Sequence, residues 1–91
     1  MSHDQYPRVR FAQTPTPLEL MANLSKLLAG PDLYVKRDDL TGLAFGGNKV
    51  RQLEYYFGDI MEKGADTVIT TGDMQSNHAR VTAAMASKLG L

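Results

Sequence analysis

The chain has 91 residues, 43% hydrophobic and 22% charged, with a formal net charge of zero. That is ordinary globular composition, and zero net charge gives no reason to expect nucleic acid or an anionic membrane as a partner. Cysteine is absent and the histidines are His3 and His78, which excludes disulfides and thiolate metal sites and leaves too few ligands for a histidine metal site. No apolar run approaches the ~20 residues of a membrane span. The polar start from Met1 to Arg8 does not resemble a signal peptide, so the expectation is a soluble cytoplasmic protein.

Residues 1–15 read as an irregular leader, punctuated by Thr14-Pro15-Thr16-Pro17. Thr16 followed by Glu19 has capping-box spacing, and Pro17 would fall at the first helical position, where a missing N–H costs nothing. Leu18, Met21, Leu24, Leu27 and Leu28 recur at helical spacing and Gly30-Pro31 is a stop signal, so a helix is predicted over 17–29. Leu33 to Arg37 reads as a short strand, running into Asp38-Asp39 and a loop at Thr41-Gly42.

A second helix is predicted from about Asn48 to Lys63, with Val50, Leu53, Phe57 and Ile60 as its apolar stripe and Gly64 as its end. Glu54, Asp59, Glu62 and Lys63 read as its solvated face, and Tyr55-Tyr56-Phe57 as packing. Lys36, Arg37, Asp38 and Asp39 are candidates for local ion pairs. Thr67 to Thr71 reads as a second strand before a turn at Gly72-Asp73, and a third helix runs from Ser76 to Gly90. Helices alternating with strands argue for an α/β fold with parallel pairing. Two strands are few for a parallel sheet, and Leu91 falls where a further strand is due. Residues 1–91 are therefore expected to be the N-terminal portion of a larger, truncated α/β protein.

Gly46-Gly47-Asn48-Lys49 is the chain's most informative run. A plain reading makes Asn48 an N-cap with Lys49 in solvent. Yet the first turn of a helix carries roughly half a positive charge, and Lys49 shares a face with Leu53 beside the apolar stripe. Such a position favours the neutral amine that attacks carbonyls. Gly42 to Val50 superficially suggests a nucleotide phosphate loop, but that motif needs Lys directly after Gly and then Ser or Thr, and here Asn48 intervenes and Val50 follows. Gln75-Ser76-Asn77-His78 opens the next helix. Ser76 or Asn77 would cap it, and its free N–H groups suit an anion such as a substrate carboxylate at the carboxyl end of a strand. His78 alone would more often be structural.

Leu33 to Gly42, then Gly46 to Glu54, resemble the D-cysteine desulfhydrase and 1-aminocyclopropane-1-carboxylate deaminase family, within the tryptophan-synthase-β-like (fold type II) pyridoxal-phosphate enzymes. Thr14 to Glu19, and Thr71-Gly72 through Arg80 to Ala84, fit the same pattern, so the resemblance spans about Arg8 to Leu91. It implies that Lys49 matches the lysine that carries pyridoxal 5′-phosphate covalently. Asn77 matches the asparagine that hydrogen-bonds the cofactor's 3′-oxygen. Ser76 matches a serine that binds the substrate carboxylate or moves a proton, aided by the backbone at Asn77 and His78.

The resemblance also implies a lyase acting on a small amino acid, with a homodimer as the full-length form. Ser-Asn-His at 76–78 is more like the desulfhydrases than Ser-Asn-Gln, which favours β-elimination from D-cysteine to pyruvate, ammonia and sulfide. The alternatives are 1-aminocyclopropane-1-carboxylate deamination and cysteate sulfo-lyase activity. The family's phosphate-gripping glycine loop, the group near the pyridine nitrogen and a downstream tyrosine have no counterpart in these residues. The 91-residue piece alone is thus expected to be inactive, and an inert fragment without cofactor is the rival of another class.

Overall fold

A computed structural model describes residues 3–91; the part of the leader at Met1 and Ser2 lies outside the described residues. In chain order the regular elements are β1 (Leu18–Leu20), α1 (Ala22–Leu28), β2 (Tyr34–Lys36), α2 (Lys49–Glu62) and α3 (Asn77–Leu89). Short 3₁₀ turns occupy His3–Gln5, Asp38–Leu40 and Leu43–Phe45.

The helix expected over 17–29 is a strand followed by a shorter helix. Leu18 pairs with Lys36 and Leu20 with Tyr34 in an antiparallel ladder, and the Arg37 N–H extends it to the Pro17 carbonyl at 2.9 Å. Thr16 is no cap. Its buried hydroxyl oxygen accepts from Arg51 Nη2 at 2.9 Å, while Glu19 pairs across the sheet with Arg37. The main-chain ladder overrides the helical spacing of the leucines, and Leu18, Leu27 and Leu28 stay exposed. Ser25 of α1 accepts from the Leu33 N–H at 2.8 Å, which turns the chain back into β2.

The ladder present is antiparallel, so the parallel pairing expected within this stretch is not found among the described residues. Residues 67–71 form no strand, because a strand exists only through a neighbour and none lies alongside. Val68 still packs toward the core while Ile69 faces out.

The core is the seam between α2 and α3: Val50, Leu53, Phe57, Val81 and Met85. Val50, Leu53 and Phe57 are stripe positions anticipated for α2, with Ile60 at the rim, while Val81 and Met85 come from α3. Gly64 (φ +70°) and Gly90 (φ +79°) end the two helices in the left-handed region that glycine adopts without strain. The radius of gyration is 16.3 Å, against ~12 Å for a compact domain of this length, and large apolar side chains such as Leu27, Phe45 and Ile69 stand exposed. No helix is long and apolar enough to cross a membrane among the described residues.

Glu54 departs most from expectation. It lies on the buried side of α2 with no exposed side-chain surface. Arg8 donates to Oε1 through Nε (2.8 Å) and Nη2, and the N–H groups of Phe11 and Ala12 donate to Oε2 at 2.6 and 2.8 Å. Arg8 also lies 4.8 Å from the Tyr55 ring centroid, and Phe11 meets Phe57 edge-on. The leader is therefore laid along α2. Burial alone would push the Glu54 carboxyl up, but the Ala12 and Phe11 N–H groups and Arg8 outweigh it and hold it below the ordinary 4.5.

Stability from a carboxylate lowered in this way is complete above pH 4.5 and is lost as pH falls through the folded-state value. In the full-length protein, Glu54→Gln should cost about 3 kcal/mol at pH 7, because it breaks a buried pair. The variant should also show less loss of stability below pH 4.5 than the parent. Denaturant titrations at pH 7 and pH 4 check both.

Candidate active site

The loop between β2 and α2 is built around Asp38 and Thr41. The Asp38 carbonyl accepts the Gly47 N–H at 3.0 Å. The Thr41 hydroxyl, fully buried, lies 3.0 Å from the carbonyl oxygens of both Asp38 and Gly47. The Asp38 carboxylate takes Arg51 Nε at 3.1 Å. Within this frame Ala44 (φ 48°), Phe45 (φ 72°), Gly46 (φ 74°) and Gly47 (φ 115°) all adopt positive φ. Two of these are not glycine, and for a residue as bulky as Phe that conformation is strained.

The turn delivers Lys49 as the first residue of α2, half-buried. Its side-chain nitrogen makes no hydrogen bond or ion pair with the described residues. Asn48 does not cap α2. Its backbone is already helical and its side chain makes no capping bond, because its Oδ1 is used across the gap, accepting from Asn77 Nδ2 at 3.4 Å.

At the start of α3, Ser76 is the N-cap, and its hydroxyl oxygen accepts the Ala79 N–H at 3.2 Å. The Ser76 N–H donates to the Asp73 carbonyl at 3.0 Å, and Gly72 lies close beneath: a Cβ there would stand 2.9 Å from Ser76 Oγ. Asn77 lies directly on the glycine turn, where a Cβ on Gly47 would be 2.7 Å from its Nδ2. Arg80 completes the junction, donating to the Ala44 carbonyl (2.8 Å), the Gly46 carbonyl (3.1 Å) and Asn77 Oδ1 (2.6 Å).

The turn before Lys49 and the start of α3 at Asn77 thus form one junction, with Ser76 capping the same helix end. Neither helix has an acidic residue in its first turn, so both positive ends remain open to an anion. Asp73 is exposed. His78, one residue and ~100° further round the helix, lines a cavity with Gln52, Tyr56, Ile69, Thr70 and Thr82, on a flank separate from the Gly47–Asn77 contact. Sequence reasoning passed over Thr41, Arg51 and Arg80 as site builders. Arg80 had one legible signal, its position three residues after Asn77, on the same helix face.

Lys49, without a partner among the described residues, thus stands at one helix start, and the Asn77 amide at the next helix start lies against the glycine turn that precedes it. The chain belongs to the family of pyridoxal-phosphate dependent enzymes, whose model matches residues 9–91. It is 54% identical over 87 residues to a D-cysteine desulfhydrase of Salmonella typhimurium, covering 96% of this chain and 26% of that protein. It is equally identical, with the same coverage, to a putative 1-aminocyclopropane-1-carboxylate deaminase of Pyrococcus horikoshii. A solved structure of an ACC deaminase homologue superposes with a TM-score of 0.91 at 52% identity, over 97% of this chain and 27% of that one. The chain therefore spans about a quarter of the length of these relatives, and its fold is a piece of their fold.

The residues present suit the family's cofactor: an amine with no partner among the described residues, and a glycine at Gly47 against which the Asn77 carboxamide, held by Arg80, lies directly. Gly47→Ala should test this contact. It places a side chain at φ +115° and against Asn77, which should cost the full-length protein about 1–3 kcal/mol and swing the Asn77 carboxamide aside. Chemical denaturation and a crystal structure of the variant would reveal both effects; parental stability with Asn77 unmoved would contradict them.

Proposed function

We propose that this chain is the lysine-bearing part of a pyridoxal-phosphate-dependent lyase whose full-length form carries out β-elimination on D-cysteine. The observation that supports the reading most is the junction of the Lys49 turn with Asn77 at the start of α3. Lys49 would hold the cofactor covalently and Asn77 would hold it by a hydrogen bond. When bound, the cofactor supplies an electron sink for the electron pair left at the substrate α-carbon.

This chain's residues supply placement. Ser76 Oγ already accepts from Ala79, so its own proton is free to be donated to a substrate carboxylate. The first-turn N–H groups of α3 add a positive end to the same site. The net reaction converts D-cysteine and water to pyruvate, ammonia and hydrogen sulfide: the Cα–H and Cβ–S bonds break and sulfide leaves with the electron pair of the latter, a proton is added at Cβ, and water replaces the amino group at Cα, giving the keto oxygen and releasing ammonia.

Two other chemistries fit the same groups, cysteate sulfo-lyase activity and 1-aminocyclopropane-1-carboxylate deamination. The Pyrococcus relative's name favours the second as the alternative. His78 is the residue on which the desulfhydrase choice turns, and its cavity beside Tyr56 and Thr70 is where a change of side chain would act. The reading takes the full-length protein as a cytoplasmic homodimer and residues 1–91 alone as inactive; light scattering and turnover assays address these.

The lysine assignment is tested by borohydride reduction of the full-length holoenzyme. Peptide mass spectrometry should place the reduced pyridoxyl adduct on Lys49, and an adduct on Lys36 instead would sink the assignment.

Steady-state kinetics test the other two residues. A hydrogen bond to a charged group is worth about 1.5–3 kcal/mol, so Ser76→Ala should lower kcat/KM by roughly ten- to a hundredfold. A larger fall in kcat alone would assign Ser76 to proton transfer. His78→Gln should move the ratio of D-cysteine to cyclopropane turnover toward the latter, and an unchanged ratio would remove the case for the desulfhydrase branch.

A further inference from the structure

We propose that Arg80 is a positioning residue, one that clamps the turn delivering Lys49 and locks the Asn77 carboxamide with its nitrogen as the free donor. The inference rests on the roles given to Lys49 and Asn77 above. It starts from an arginine with unusual partners. Arg80 is an exposed residue of α3, and it forms no ion pair with the described residues. Its guanidinium is directed at three oxygens, the carbonyls of Ala44 and Gly46 and Oδ1 of Asn77.

Two consequences follow from chemistry alone. Arginine only donates, so the Asn77 atom 2.6 Å away must be the oxygen, and Nδ2 must point elsewhere. One Nδ2 hydrogen makes the long 3.4 Å contact to Asn48 Oδ1; the other is left for an oxygen acceptor. Without Arg80 the amide could turn over and offer an oxygen where a donor is needed.

The second consequence concerns the turn. Ala44 and Phe45 sit at positive φ, and Phe45 is 91% exposed, so packing does not hold its side chain in place. Strained backbone persists only where its surroundings over-determine it, and the guanidinium fork supplies two of the bonds that do so. A lysine would keep the charge but not the planar fork.

The test uses full-length protein carrying Arg80→Ala or Arg80→Lys. In the apoprotein, exchange of the Gly46 and Gly47 amides should quicken roughly tenfold in Arg80→Ala, reporting local opening of the turn. The Kd for pyridoxal phosphate should rise roughly ten- to a hundredfold, as for loss of a charge-assisted hydrogen bond. The visible band of the bound cofactor should shift in position and in its pH titration. Arg80→Lys should recover only part of each effect, and it decides the matter if Arg80→Ala does not fold. Parental exchange, affinity and spectrum in folded variants would overturn this inference alone, provided unsubstituted protein yields the Lys49 adduct. No adduct in unsubstituted protein would bring down the cofactor reading and this inference with it.

Discussion

A carboxylate withdrawn from water must find its donors inside the protein, and Glu54 does so by recruiting the leader. Four donors converge on it from Arg8, Phe11 and Ala12, and its own backbone carbonyl takes the Val9 N–H at 3.1 Å. Gly58, one turn on, has no side chain and lets the Pro7 carbonyl come close. The leader thereby acquires a register along α2, although it has almost no regular structure. Phe11 then closes over Phe57, and the apolar seam of α2 and α3 gains a cover.

That register carries through to the site. Once residues 8–12 are fixed, the Gln13 N–H reaches the Thr41 carbonyl at 2.8 Å, and the Gln13 side chain packs over Gly42. Thr41 in turn braces the carbonyls of Asp38 and Gly47. A chain of local constraints thus runs from a buried acid on the second turn of α2, out through the leader, and back to the turn that precedes Lys49. The same helix holds both ends, so its position and that of its first residue are set together.

Much of this was legible in the sequence, and the misses have physical causes. The stripe of α2, a polar cap at Ser76 or Asn77 for α3 and the glycine stops at Gly64 and Gly90 are local signals that the structure bears out, whereas the capping-box spacing of Thr16 and Glu19 and an N-cap at Asn48 were overridden by bonds to distant residues. Residues 17–20 were misread because Leu18 continues the three- and four-residue spacing of Met21, Leu24, Leu27 and Leu28, and the ladder to β2 that decides the matter involves residues farther along the chain. Glu54 looked like one more charge on a solvated face beside Asp59 and Lys63, which do form an exposed pair. Its partners lie more than forty positions upstream, where no periodicity points. The family resemblance singled out Lys49, Ser76 and Asn77, but the strained turn between Gly42 and Gly47 could not be read from residue types that include Ala44 and Phe45.

The antiparallel arm of β1, α1 and β2 is joined to the helix pair through polar groups, with Arg51 reaching both the Asp38 carboxylate and the Thr16 hydroxyl. Both members of that ion pair keep a quarter to a third of their side-chain surface in solvent. Apolar packing resists salt, whereas a half-wet charged joint is screened over a Debye length of ~8 Å at physiological ionic strength. The joint between arm and helices is therefore one whose electrostatic strength depends on the ions around it.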